Sequence, residues 1–448
     1  MRQIFSSTVI ARPRVLRAVV VLFAATVMVV LGTLHAQQMN PSYFAEMRWR
    51  SIGPPRSGYV SAPAGVPGDP TTYYAGMPEG GVWKTTNGGT TWRPIFDEVH
   101  IASVGAVAVA PSDPKIVYVG TGNQTGWSFS VGKGAFKSTD AGKTWTSIGL
   151  SASQYIGGIV VDPRNADVVL VAAIGPRGAG RGGAGRAAAP SPVTAATDIA
   201  AERGVYRSTD GGRTWTRVLP TDGSSGASDV YMDYRDPQIV YALLGAGGFP
   251  GAPQPAASPG TGAYKSTDGG VTWRPVSGRG LPDGARISAF AVASGTHGRR
   301  LYAVAGTGGR GGGGGRGLYR SDDGGDSWTF GTRQLASAGG KMYADPQNPD
   351  VVYLMGTAIY KSTDAGQHVA AFWGAPSGAD PRFLWIDPTN SKRMFAGVDQ
   401  GAAISVDGGE SWTPYYGLPN GQFYRVSTDY DFPYHVCGPQ QDSGTACV

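Results

Sequence analysis

One short pattern restricts this chain more than any other feature: Ser/Thr-x-Asp-x-Gly-x-x-Trp occurs seven times in 448 residues. Its acidic or amide position is filled by Asn87, Asp140, Asp210, Asp268, Asp323, Asp364 and Asp407. Its last position is filled by Trp92, Trp145, Trp215, Trp273, Trp328 and Trp412, with Val369 standing in the sixth copy. From Asn87 to Asp407 the copies are about 53 residues apart on average. A period of that size belongs to supersecondary units that stack, because one such unit cannot bury its apolar face alone.

The surroundings of the boxes say what the unit is. A short alternating strand precedes each box, as in Val205-Tyr-Arg207 or Leu318-Tyr-Arg320. A more apolar strand lies upstream of that, such as Ile116-Val-Tyr-Val-Gly120 or Val351-Val-Tyr-Leu-Met355, often after an Asp/Asn/Pro turn. A third, such as Val104–Val109, comes before that turn, and the Trp opens a fourth after the box. Four antiparallel strands repeated seven times predict an all-β, seven-bladed β-propeller. Composition agrees: 70 Gly and 32 Pro would interrupt helices too often for a large bundle. Within the box, Asp or Asn sets the turn, Gly supplies positive φ and Trp covers apolar surface. Seven copies in one structural position mark a folding device, not seven catalytic or metal-binding carboxylates.

The pattern resembles the Asp-box, or bacterial neuraminidase repeat, of sialidases, of the sortilin luminal domain and of tandem-propeller xyloglucan hydrolases. The likeness covers Met47 to the C-terminus, so residues 47–448 are assigned to the propeller. The stretches Gly80-Gly-Val-Trp-Lys-Thr-Thr-Asn-Gly-Gly89 and Leu384-Trp-Ile-Asp-Pro-Thr-Asn390 look like bacterial sortilin-N-terminal-like or repeat-containing glycosyl hydrolases. In the xyloglucan hydrolases a catalytic Asp occupies an Asp-x-Gly-Gly loop of the N-terminal propeller. The matching loop here is Pro78-Glu79-Gly80-Gly81, with Pro at the Asp position and Glu79 one place later. Asp399 occupies the matching loop of blade seven. Glu79 and Asp399 are therefore the candidate catalytic carboxylates. The resemblance places the family's second catalytic Asp in a second propeller. The Arg-Ile-Pro motif of sialidases is missing after residue 36, and the ten blades and cysteine-rich module of sortilin are not seen.

Long insertions fall in one connection, between second and third strands: Gly122–Gly134, Gly175–Gly204, Gly245–Gly262 and Gly306–Gly317. Alternation of an up-and-down blade puts them on the face opposite the boxes, where repeat arrays usually bind. Asn123, Trp127 and Gln400 are the candidate binding residues of that rim. Asn123-Gln-Thr125 also has the form of a glycosylation acceptor. The Arg-Gly runs Arg177–Arg186 and Arg310–Arg316 lack interleaved aromatics and read as loop, not as nucleic-acid tails. The expected function is an exported module that binds a polysaccharide, oligosaccharide or protein as a monomer, without nucleic acid, metal or cofactor. Its alternative is a glycoside hydrolase acting on β-glucans.

The ends carry separate expectations. Residues 1–36 combine Arg2, Arg12, Arg14 and Arg17 with the apolar run Ala18–Leu31 and read as a secretory signal, or as a membrane anchor if retained. Their removal takes the formal charge from +6 to +2 and removes the basic signature of nucleic-acid binding. Residues 37–46 are a linker. Trp49–Ile52 reads like a fourth strand, and residues 421–448 either close the ring or begin a second propeller. Cys437 and Cys447 can pair across a short loop, and His435 has no Cys–His cluster around it.

Overall fold

A computed structural model describes residues 40–44, 57–123, 130–176, 202–221, 226–245, 262–307, 316–335, 340–374, 380–441 and 444–448. Two compact units are present, residues 1–51 and 52–448. The first is described only around a single 3-10 turn, Pro41–Phe44. The expected signal (1–36), Trp49–Ile52, Trp127 and the basic runs Arg177–Arg186 and 310–315 lie outside the described residues. Among the described residues no helix is long and apolar enough to cross a membrane.

The second unit is all-β. Blade 1 is formed by Ala62–Gly65, Tyr73–Met77, Gly81–Thr85 and Arg93–Pro94, paired antiparallel in chain order. Blades 2 to 6 repeat this order, beginning at Val104, Ile156, Gly226, Arg286 and Met342. Blade 7 has three strands, Phe383–Ile386, Met394–Val398 and Gly401–Ser405. Its fourth position is marked only by Thr413, whose N–H donates to the Ile404 carbonyl at 2.9 Å.

Burial is greatest in the second strands and least in the outer fourth strands. Second strands such as Tyr73–Met77 and Val117–Thr121 are buried at every position, since neighbouring blades cover both of their faces. Fourth strands such as Arg93–Pro94 and Thr146–Ser147 are exposed, and an edge tolerates the missing N–H of Pro94 and Pro275. Among the described residues, seven apolar clusters each join two neighbouring blades. An open row of seven blades would have six such junctions. The seventh joins blade 7 to blade 1: Phe395 stacks on Trp92 at 5.8 Å and meets Tyr73 edge-on at 5.4 Å. Packing therefore closes the ring, with the first strands of successive blades lying against one another around the axis.

Residues 421–448 form an eighth sheet of their own: Ser427–Thr428, Val436–Gln440 and Gly444–Cys447. Cys437 and Cys447 face each other in register across two of these strands and are joined by a disulfide. The sheet is tied to the ring's entry strand, where Gln440 Nε2 donates to the Ser57 carbonyl at 2.8 Å.

Candidate functional site

The boxes share one geometry. In blade 3, Ser208 Oγ donates to Asp210 Oδ1 at 2.7 Å and accepts the Gly212 N–H at 2.8 Å. Asp210 then accepts the Thr214 N–H (2.9 Å) and the Thr214 hydroxyl (2.6 Å). The residue after each Asp or Asn has positive φ, 58–85°, and its N–H donates to the turn between first and second strands at 2.8–2.9 Å. All seven boxes make this bond, reaching Thr71, Lys115, Asp167, Gln238, Arg299, Asp350 and Lys392 in turn. Asn87 performs the same role uncharged, its Nδ2 donating to Thr91 Oγ1.

The bonds stabilise the ionised carboxyls. The Thr144 hydroxyl and amide bring Asp140 to about 2. Burial works the other way for Asp268, Asp323 and Asp364, but Thr272, Ser327 and His368 overcome it and leave each at about 2. The Thr214 and Ser411 hydroxyls pull Asp210 and Asp407 well below the usual carboxylate range. Carboxylates committed in this way are turn anchors.

The Trp indoles divide into two kinds. Trp92, Trp273 and Trp412 donate to the carbonyl of their own box Gly. Trp145, Trp215 and Trp328 reach instead to Ile95, Ile148 and Ser277 of the preceding blade. Val369, in the box without Trp, packs into the cluster between blades 5 and 6.

A second repeated device passed unnoticed in the strand pattern. Tyr74, Tyr118, Tyr241 and Tyr353 on second strands pair directly with Lys84, Lys137, Lys265 and Lys361 on third strands. Each ammonium lies 5.1–5.6 Å from its ring centre, within cation–π range. Tyr118, Tyr241 and Tyr302 also donate their hydroxyls to backbone of the next blade. The recurring Val/Ile-Tyr and Tyr/Phe-Lys dipeptides carried that signal.

The opposite face holds the ends of the second strands and starts of the third, and with them both candidate catalytic carboxylates. Glu79 is exposed in the second-to-third turn of blade 1, and its Oε1 accepts from Ser130 Oγ of blade 2 at 2.7 Å. Its loop is held by Gly81, with φ +69° and an N–H donating to Ala102, and by the Trp83 indole on the Gly80 carbonyl. Asp399 occupies the same turn of the adjoining blade 7. Arg382 reaches it with Nε at 3.3 Å and Nη2 at 3.4 Å, and touches Asp380 at 3.4 Å. Burial disfavours the Arg382 cation, but the Asp399 charge outweighs it and raises the guanidinium above its ordinary value.

The other expected rim residues are placed differently. Asn123 and Gln400 are buried, at 1% and 4% exposure. Neither is therefore the open rim contact expected of it, and a buried Asn123 does not present a glycosylation acceptor. His435 is not isolated, because the chain between Asp429 and His435 folds back on itself. Its Nδ1 lies 2.6 Å from Asp429 Oδ2, and ligand atoms of Asp429, Asp431 and His435 fall within 4.8 Å of one another, all exposed.

Ring, strand order and box geometry define an Asp-box β-propeller. The BNR/Asp-box repeat family matches residues 206–217, the third box. The chain is similar to the xyloglucanase Xgh74A of Acetivibrio thermocellus, 26% identical over 351 residues, covering 67% of this chain and 36% of that protein. Among solved structures, an ancestral GH74 enzyme superposes with a TM-score of 0.63 at 19% identity, over 90% of this chain and 54% of that one. The GH74 enzyme of Niastella koreensis gives 0.61 at 19% identity, over 89% and 60%. The chain thus spans about a third of the length of the xyloglucanase it matches and just over half of the ancestral enzyme.

Proposed function

We propose that this propeller engages a β-glucan of the xyloglucan kind on its loop face, as part of a glycoside hydrolase. The observation that carries the reading is the sequence likeness to a xyloglucanase over two thirds of the chain. Glycoside hydrolysis ordinarily uses two carboxylates flanking the bond. Glu79, solvent-facing and accepting a hydrogen bond from Ser130, has the accessibility of a proton donor. Asp399, paired with the Arg382 cation, is the second carboxylate of this assignment. Export and an extracellular polysaccharide belong to the same proposal, resting on residues 1–36.

Incubation with xyloglucan and other β-glucans, counting new reducing ends, tests it. Turnover that falls about 10²–10⁴-fold in Glu79→Gln and in Asp399→Asn supports the assignment. Turnover unchanged in both variants contradicts it. A second reading, binding without turnover, is favoured by Pro78 standing where the resembling family has Asp. Xyloglucan bound by the wild-type protein without any new reducing ends would select that reading.

A further inference from the structure

We propose that the mouth of the propeller axis on the loop face is a subsite for an uncharged sugar ring. This rests on the glycan-engaging reading and adds a location and a ligand charge to it. First strands begin at this face, and residues at or near the start of several of them converge there. Asp229 belongs to the first strand of blade 4, Lys341 leads into that of blade 6, Phe383 begins that of blade 7, and Tyr59 precedes that of blade 1. Lys341 Nζ bonds Asp229 Oδ2 across 112 positions and past the whole of blade 5, as side chains directed at the axis can. Asp229 Oδ2 also accepts the Tyr231 hydroxyl at 3.0 Å, and Oδ1 accepts the Val230 N–H at 3.0 Å. Blade 3 leaves room for this carboxylate by having Gly158 beside it, where a Cβ would stand 2.6 Å from Oδ1.

An aromatic wall adjoins the ion pair. Lys341 Nζ lies 5.5 Å from the centre of the Phe383 ring, and the Tyr59 ring is 6.4 Å from Phe383, tilted by 42°. Both rings are partly exposed. The Arg382–Asp399 pair begins one residue from Phe383, so the wall has a second ion pair next to it. Partly exposed ion pairs such as these contribute little net stability, so stability alone does not account for polar groups gathered here.

The charges select the ligand. Lys341 is already paired with Asp229, and Arg382 with Asp399 and Asp380. An anionic ligand would have to displace a carboxylate from one of these cations. What the site offers is N–H donors and carboxylate lone pairs beside an aromatic face. Those groups match the hydroxyls and the C–H face of a neutral pyranose.

Calorimetric titration with xyloglucan oligosaccharides, and with oligogalacturonate as the anionic control, tests the proposal. The expected result is wild-type binding of the neutral oligosaccharide alone. Affinity should weaken about tenfold or more in Phe383→Leu and Lys341→Met and be regained in Phe383→Tyr, with the thermal midpoints of the two Phe383 variants tracking that of the wild type. Unchanged affinity in the Leu and Met variants overturns the subsite while leaving the glycan reading standing. Oligogalacturonate bound as tightly as the neutral ligand overturns the uncharged assignment. Wild-type protein that binds no glucan overturns the glycan reading, and the subsite with it. Phe383→Leu keeps most of the apolar volume, so a loss that Phe383→Tyr restores is a loss of the ring and not of the fold.

Discussion

The two faces of this ring are built on opposite rules. On the box face, seven turns repeat the same Ser–Asp–Gly hydrogen bonds and the same tie to the neighbouring turn, to within a tenth of an ångström in that tie. On the loop face the candidate carboxylates have no such common partner. Glu79 is held by a serine of the next blade and Asp399 by an arginine of its own. Repetition marks residues whose task is the same in every blade, namely folding. Singularity marks positions free to take on a task only once in the molecule. The difference separates thirteen conspicuous Asp, Asn and Trp residues, which are structural, from a few inconspicuous ones that can do chemistry.

That contrast can be broken by measurement. The largest effect is expected from Trp328→Ala, which removes a 5%-exposed ring from the junction between blades 4 and 5 and orphans the Ser277 carbonyl. A loss of about 3–5 kcal/mol is expected in denaturant unfolding, and a loss under 1 kcal/mol would show that the box Trp is not a packing residue. Next is Ser266→Ala. Its buried Oγ donates to Asp268 and accepts the amides of Asp268 and Gly270, so about 1–2 kcal/mol should be lost. Glucan affinity should not change. A stable variant with weakened binding would mean that the box face takes part in recognition.

The smallest effect per residue is the acid response. The box carboxyls lie lower in the folded chain than in the unfolded one, so their contribution is complete above pH of about 4 and is lost as pH falls toward 2. The thermal midpoint should therefore drop across that window. The drop should be shallower in an Asp268→Asn variant, because an amide does not titrate and Asn87 shows that it fits. A midpoint independent of pH between 4 and 2 would contradict the carboxylate bonds.

Legibility followed the same division. The boxes and their flanking strands are local: Ser208, Asp210, Gly212 and Thr214 meet because they are near neighbours in sequence, and a periodic pattern reports them. The Tyr–Lys pairs were visible as alternating strands but not as partners, since pairing Tyr241 with Lys265 requires the register of two strands. Asn123 and Gln400 read as rim residues because polar residues in loops usually face water, yet both are buried here. The axial mouth was illegible. Asp229, Lys341 and Phe383 lie in three different repeats, and only closure of the ring brings them together.

The central claim is that folding belongs to one face and ligand recognition to the other. Its most direct test is titration of xyloglucan oligosaccharides into Ser266→Ala and Phe383→Leu side by side, with a thermal midpoint for each. The account predicts that Ser266→Ala loses stability and keeps wild-type affinity, whereas Phe383→Leu keeps its stability and loses about tenfold or more in affinity. Equal loss of affinity in both variants, or loss only in Ser266→Ala, would contradict it.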